Sequence, residues 1–171
     1  KQMRLLLAQN PEIDPMSTDD FLAVGGYQAL AKAISTMTPE GVIQEVIDAD
    51  LRGRGGGGFP AGWKWDSTRK AEGDIKYVIC NADEGEPGTF KDRVLLTDYP
   101  SRIFEGMAIA GYAIGAQQGI MYLRAEYAYL ETFLNDLLDK RRKAGLLGNA
   151  LLGKQDFSFD IRIQMGAGSY V

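Results

Sequence analysis

Two short stretches hold the residues whose types and spacing could support chemistry. The first is LRGRGGGGFPAGWKW, residues 51–65, with glycines at 53, 55, 56, 57, 58 and 62. Arg54 and Lys64 bring positive charge, and Phe59, Trp63 and Trp65 bring flat apolar faces. Backbone N–H groups without Cβ shielding, next to a lysine, make a phosphate cradle. Three other readings compete. Gly53, Gly55 and Gly58 match the G-x-G-x-x-G fingerprint, but that motif follows a strand and opens a helix. Here a helical pattern precedes it and Pro60 comes just after the last glycine. Gly57 and Gly62 have the spacing of an ATP-type loop, but Trp63 stands where lysine is needed. Lys64 then comes one position late, and no Ser or Thr follows it to hold a magnesium ion. A flexible glycine linker carries serine rather than large aromatics. The residues therefore favour a phosphorylated, ring-bearing ligand.

The second stretch is NADEGEPGTFKD, residues 81–92, which crowds Asp83, Glu84 and Glu86 beside Asn81. Carboxylates there can accept from ribose or ribityl hydroxyls and from ring N–H groups. They could equally ligate Ca²⁺ or Mg²⁺, although the twelve-residue calcium-loop pattern is absent, or form a solvated turn. Their position directly after a buried strand favours a site. Cys80, on that strand, reads as a small hydrophobe rather than a nucleophile.

The rest of the chain narrows the chemistry. Its 171 residues contain no histidine and one cysteine. That removes the commonest general base, the Ser-His and Cys-His pairs, any internal disulfide and any cysteine-held cluster supplied by this chain alone. Chemistry here points to a cofactor. The net charge of −4 and the lack of a basic stripe argue against nucleic acid. The one basic run, Lys140 to Lys143, reads as a solvated helix end. No apolar run is long enough to cross a bilayer, and a cytoplasmic location is expected. The opening lysine and the closing GAGSYV do not look like natural termini, so a fragment or processed chain is expected.

The elements that must position these residues follow from periodicity and caps. Ser17 caps a helix led by Asp19 and Asp20, broken at Gly25-Gly26. A stripe of Leu30, Ala33 and Ile34 follows, and Thr38-Pro39 opens a helix running to about Leu51. Tyr77 to Cys80 reads as a buried strand, and Pro100 opens a long buried helix packed through Gly106, Gly111 and Gly115. Residues 119–123 form a second strand. A helix spans 127–144, and a third strand, alternating through Phe157, Phe159, Ile161 and Ile163, runs into GAGSYV. Strands separated by helices predict a Rossmann-like α/β unit, βαβαβ, with a mostly parallel sheet and right-handed crossovers. The expected division is a helical segment over 1–50 and an α/β domain over 51–171. Ligands in such sheets bind beyond the carboxyl ends of the strands, which places residues 81–84 and 166–170 at one site.

Taken in order, GRGGGGFPAGWKW, ICNADEGEPGTFKDR, EGMAIAGYAIGA and FSFDIRIQMGAGSYV resemble the NADH-oxidising flavoprotein subunit of respiratory complex I. They resemble equally its relatives in NAD-linked soluble hydrogenases and formate dehydrogenases. The stretch EIDPMSTDDFLAVGGYQALAKAI is more similar to those two diaphorases. The resemblance implies an FMN site. Gly53, Arg54, Gly55 and Gly56 would surround the phosphate and ribityl chain, with Lys64 near the phosphate. Asn81, Asp83 and Glu84 would contact ribityl and isoalloxazine atoms, and Tyr170 would sit close to the flavin. Phe59 and Glu86 would lie on the NADH side. The implied reaction is hydride transfer from NADH to FMN, followed by single-electron passage to iron–sulfur clusters. The family continues past GAGSYV into a Cys-Gly-Glu-Glu segment and later into the cysteines of a [4Fe–4S] cluster, which this chain does not contain. The implied partners are a ferredoxin-like iron–sulfur subunit and downstream hydrogenase, formate dehydrogenase or quinone-reducing subunits.

Overall fold

Ser17 starts the first helix, α1 (Thr18–Ala23), because its hydroxyl accepts the Asp20 N–H at 3.0 Å while Asp19 and Asp20 sit at the positive helix end. Gly25 turns the chain at φ +90°, and a Cβ on Gly26 would collide with the Phe21 ring, so α2 (Gln28–Thr36) starts afresh. Thr38 then caps α3 (Pro39–Asp48) through Gly41 N–H at 3.1 Å, with proline at the first turn. These elements belong to a computed structural model that describes residue 7 and residues 13–168.

Beyond the glycine stretch come α4 (Ala61–Lys70), β1 (Tyr77–Ala82), α5 (Lys91–Asp98) and α6 (Pro100–Ile114). β2 (Gln118–Leu123), a 3-10 turn over Ala125–Leu130, α7 (Glu131–Lys143) and β3 (Asp160–Met165) complete the order. The three strands form a parallel sheet in the order β1-β2-β3. Tyr77, Gln118 and Asp160 are in register at one end, and Ala82, Leu123 and Met165 at the other. The chain is thus the expected α/β unit with a parallel sheet.

The helices lie on one face of that sheet. Ala82, Met121, Leu123 and Ile161 share a core with Phe104 and Met107 of α6 and with Leu134, Leu137 and Leu138 of α7. Crossovers of one hand that always step the same way along a sheet put both helices on the same side. The N-terminal helices join this core through Phe21, Tyr27, Leu30 and Ile34. Two glycines set the packing distance: a Cβ on Gly111 would lie 2.5 Å from Phe159 Cδ2, and one on Gly119 would lie 2.8 Å from Phe159 Cζ.

Several local expectations need correction. β1 is not a buried strand: Tyr77 and Ile79 are 45% and 63% exposed, because β1 is an edge strand and, among the described residues, one sheet face carries no helix. The third strand begins at Asp160, not Phe157. Phe157 and Phe159 face the core as their alternation predicts, but Phe159 forms an antiparallel bridge with Gly148. The helix over 127–144 splits into a 3-10 turn and α7. Arg141, within the basic run, is fully buried and donates to Thr18 Oγ1 and Ser101 Oγ, each at 2.5 Å. Helices α4 and α5 were not expected: α4 is strongly polar with little one-sided apolar pattern, and α5 has no side-chain cap at Phe90.

Candidate functional site

The glycine stretch forms a closed loop. Arg52 and Pro60 make an antiparallel bridge, Gly53 N–H donates to Phe59 O at 2.9 Å, and Ala61 N–H donates to Leu51 O at 2.7 Å. The loop leads from α3 into α4, so it does open a helix. Between those pins, Gly56 and Gly58 need glycine for their φ of +101° and +59°. Gly55 and Gly57 do not: neither has a left-handed φ, and a Cβ on either would meet nothing within 4 Å. Among the described residues, the N–H groups of Gly55, Gly56 and Gly57 donate to no backbone carbonyl. The loop therefore presents a row of bare donors to open space, which is the make-up of an anion nest.

The acidic loop meets this nest at the carboxyl end of β1. A cleft of about 300 Å³ is lined by Arg54, Gly55, Asn81, Asp83, Glu84, Glu86, Lys91 and Asp92. Asn81 Oδ1 accepts Asp83 N–H at 3.0 Å, which turns the chain out of the strand. A Cβ on Gly166, just past β3, would lie 3.5 Å from Asp83 Oδ1, so the two strand ends predicted to share a site do adjoin.

Glu84 is the buried member of the cleft. Its carboxylate accepts Asp92 N–H at 2.9 Å, Arg93 N–H at 3.3 Å and the Tyr127 hydroxyl at 2.8 Å. Burial pushes its carboxyl up, but these donors and the Lys91 charge outweigh burial and hold it below the ordinary value. Lys91 lies 2.7 Å from Asp92 and 3.9 Å from Glu84, and its hydrogen bond to Asp92 raises its ammonium pKa. Burial chiefly, with Asp92 adding, pushes the Cys80 thiol up to about 11, which suits an unreactive, partly buried residue packed against the core.

The structure thus gathers Arg54, Gly55, Asn81, Asp83, Glu84 and Glu86 around one cleft. Gly53 and Gly56 belong to the same loop without lining it; Phe59 ends the loop, 61% exposed, and Lys64 is exposed on the first turns of α4. Tyr170 lies outside the described residues. Sequence reasoning missed Lys91 and Asp92 as cleft residues. No local pattern marked them, because α5 has no side-chain cap at Phe90 to announce where the helix begins. Among the described residues, no three His, Cys, Asp or Glu side chains converge as a metal site, and no helix is long and apolar enough to cross a membrane.

Residues 46–171 match the family model described as the Nuo51 FMN-binding domain. The chain is 60% identical over 135 residues to the NAD-reducing hydrogenase HoxS subunit alpha of Cupriavidus necator, covering 79% of this chain and 22% of that protein. It is 47% identical over 171 residues to the NADP-reducing hydrogenase subunit HndC of Solidesulfovibrio fructosivorans, covering all of this chain and 34% of that subunit. It is 44% identical over 169 residues to a subunit of the NADH-quinone oxidoreductase of Aquifex aeolicus, covering 99% and 38%. The crystal structure of an NAD⁺-reducing [NiFe]-hydrogenase in the H₂-reduced state superposes with a TM-score of 0.73 at 41% identity, over 91% of this chain and 26% of that one. The chain spans between about a fifth and two fifths of the length of these relatives. With its match running from the last turns of α3 through both loops to the final residue, the chain belongs to the Nuo51 FMN-binding domain family.

Proposed function

We propose that this chain is the FMN-holding portion of a diaphorase subunit that oxidises NAD(P)H and delivers electrons to iron–sulfur clusters. The observation that carries the reading is the row of unshielded, unpartnered N–H groups at Gly55, Gly56 and Gly57, next to the cleft at the end of β1. Nothing among the described residues explains why Gly55 and Gly57 lack a side chain. A phosphate and its ribityl chain approaching the backbone does. Bound FMN supplies hydride acceptance from a nicotinamide and release of two electrons one at a time.

The residues then divide the work. Gly53, Arg54, Gly55 and Gly56 enclose the phosphate end, with Arg54 and Lys64 as the compensating charges. Asn81 and Asp83 take the polar edge of ribityl chain and ring, and Glu84 forms the wall behind them. Phe59 and Glu86 face the nicotinamide, the ring by stacking and the carboxylate by accepting hydroxyl or amide donors. Tyr170 closes the flavin side. No side chain needs to exchange a proton, which suits a chain without histidine. The higher identity to the HoxS protein than to the quinone-linked relative favours a hydrogenase-type assembly. Its partners are a ferredoxin-like iron–sulfur subunit and the downstream redox subunits, with a [4Fe–4S] cluster carried on polypeptide beyond this sequence.

The test is an FMN titration of the native protein by fluorescence quenching, with the double variant G55A/G57A alongside. Native protein should quench FMN. The variant should keep its stability within about 0.5 kcal/mol, since the new methyl groups meet nothing, yet bind FMN at least tenfold more weakly. Native protein that leaves FMN fluorescence untouched, or a variant that binds FMN like the native protein, would refute the reading.

A further inference from the structure

Glu84 has the burial of a core residue and the charge of a ligand. Its side chain has no exposed surface. A carboxylate offers about four acceptor positions. Three are filled by donors of this chain: Asp92 N–H, Arg93 N–H and the Tyr127 hydroxyl. The first two are the orphan donors of the first turn of α5, so Glu84 supplies from eight residues upstream the cap that Phe90 cannot supply. Its backbone is held as well. Arg124 Nη1 donates to Glu84 O at 2.6 Å, while Glu126 grips the same guanidinium at 2.8 and 3.1 Å. Arg124 N–H donates to Ala82 O at 3.0 Å, and the guanidinium lies 5.8 Å from the centre of the Tyr127 ring.

These bonds join three segments that leave the carboxyl ends of the adjacent strands β1 and β2: the acidic loop, α5 and the 3-10 turn. The loop between them, with Gly85, Pro87 and Gly88, has little structure of its own. Thr89 N–H to Glu86 O at 3.1 Å is its one backbone turn bond among the described residues. Glu84 therefore helps, together with the Asn81 bond to Asp83, to fix where the acidic loop stands, and most of its acceptor capacity is already committed to donors of this chain.

We propose that Glu84, Tyr127 and Arg124 are positioning residues: a buried lock that sets the acidic loop against the glycine loop and acts on the FMN site through Asp83, Glu86 and α5, not by contact with the ligand. The proposal rests on the FMN reading above and separates from it experimentally, because Tyr127 and Arg124 do not line the cleft.

The experiment uses the native protein and the variants E84Q, Y127F and E84Q/Y127F, with FMN as the probe. The readouts are FMN affinity, the visible spectrum of bound flavin at saturation, and hydrogen exchange at the amides of Asp92 and Arg93. Y127F should weaken FMN binding about 5-fold and E84Q more than tenfold. The double variant should be no weaker than E84Q, because both changes open one lock. At saturation the spectra of Y127F and E84Q should shift alike from the native one, which a loss of overall stability alone would not produce. Exchange at both amides should quicken at least tenfold in Y127F. Y127F with native FMN affinity and spectrum, beside an E84Q variant that has lost both, would overturn the proposal and make Glu84 a direct ligand. If the native protein does not bind FMN, the site reading fails, and exchange alone decides: unchanged protection at Asp92 and Arg93 in Y127F removes the lock too.

Discussion

Replacing Gly62 by alanine tests the joint between the glycine loop and the helix that follows it. Gly62 is buried in the first turn of α4 where that helix crosses α3. A Cβ there would stand 2.5 Å from Ile47 Cγ1, 2.8 Å from Ile47 N and 3.1 Å from Ile47 Cα. The first contact can be relieved by rotating a side chain, but the other two are backbone of α3 and cannot. Overpacking of this kind costs about 1–3 kcal/mol, and rigid neighbours place it at the upper end. Alanine returns part of that, because it exceeds glycine by up to about 0.8–1 kcal/mol inside a helix and by less in a first turn. The net expectation is a loss of about 2–2.5 kcal/mol, or about 4–10 °C in thermal midpoint for a chain of this size. The relief comes from moving α4 outward, which carries Lys64 from its place beside the loop, so FMN affinity should fall as well. Thermal denaturation by circular dichroism and an FMN titration measure the two effects. In an I47A background, which removes Cγ1 but keeps the Ile47 backbone, less than half of the penalty should disappear. A neutral or stabilised G62A would refute the reasoning, and so would its complete rescue by I47A.

Gly111→Ala should show the opposite rescue pattern. Its nearest obstacles are Phe159 Cδ2 and Cε2 at 2.5 and 2.6 Å, both side-chain atoms, so a loss of about 1–3 kcal/mol should be mostly recovered in an F159L background. The depressed Glu84 carboxyl makes acid stability depend on it. A lowered folded-state pKa gives stabilisation that is fully present above the ordinary carboxyl value of 4.5 and is lost as pH falls through the folded value. Denaturation midpoints of the native protein should therefore drop more steeply below about pH 4.5 than those of E84Q; parallel curves would contradict the assigned bonds. Cys80, with its thiol pushed up to about 11 against an ordinary 9.0, should alkylate about 100-fold more slowly at pH 8 in the folded protein than in denaturant, and equal rates would contradict its burial.

Much of the architecture was legible in the residues themselves. The Ser17 and Thr38 caps, the Gly25-Gly26 break and the helix opened by Pro100 are local devices, and each stands where its chemistry demands. The parallel sheet followed from strands separated by helices, and the nearness of Asp83 to Gly166 followed from both leaving the carboxyl ends of such strands. What local pattern could not reveal is anything that depends on which face meets which partner. The same apolar run, YVIC, would serve a buried or an edge strand, and only the one-sided placement of α6 and α7 leaves Tyr77 and Ile79 exposed. Arg141 looked like the other cations of its run until folding set it beneath Thr18 and Ser101.

The division is plainest at Glu84. Its neighbours in sequence are acidic and turn-forming, which marks a polar loop able to meet a ligand, and sequence by itself determined that this loop follows a strand. Tertiary structure alone decided that Asp83, Glu84 and Glu86 border one cleft and that the Glu84 carboxylate is bonded to α5 and Tyr127. The reason is physical: chain connectivity sets which groups are near one another along the backbone, but a hydrogen bond across 43 positions exists only once two strands have been laid side by side.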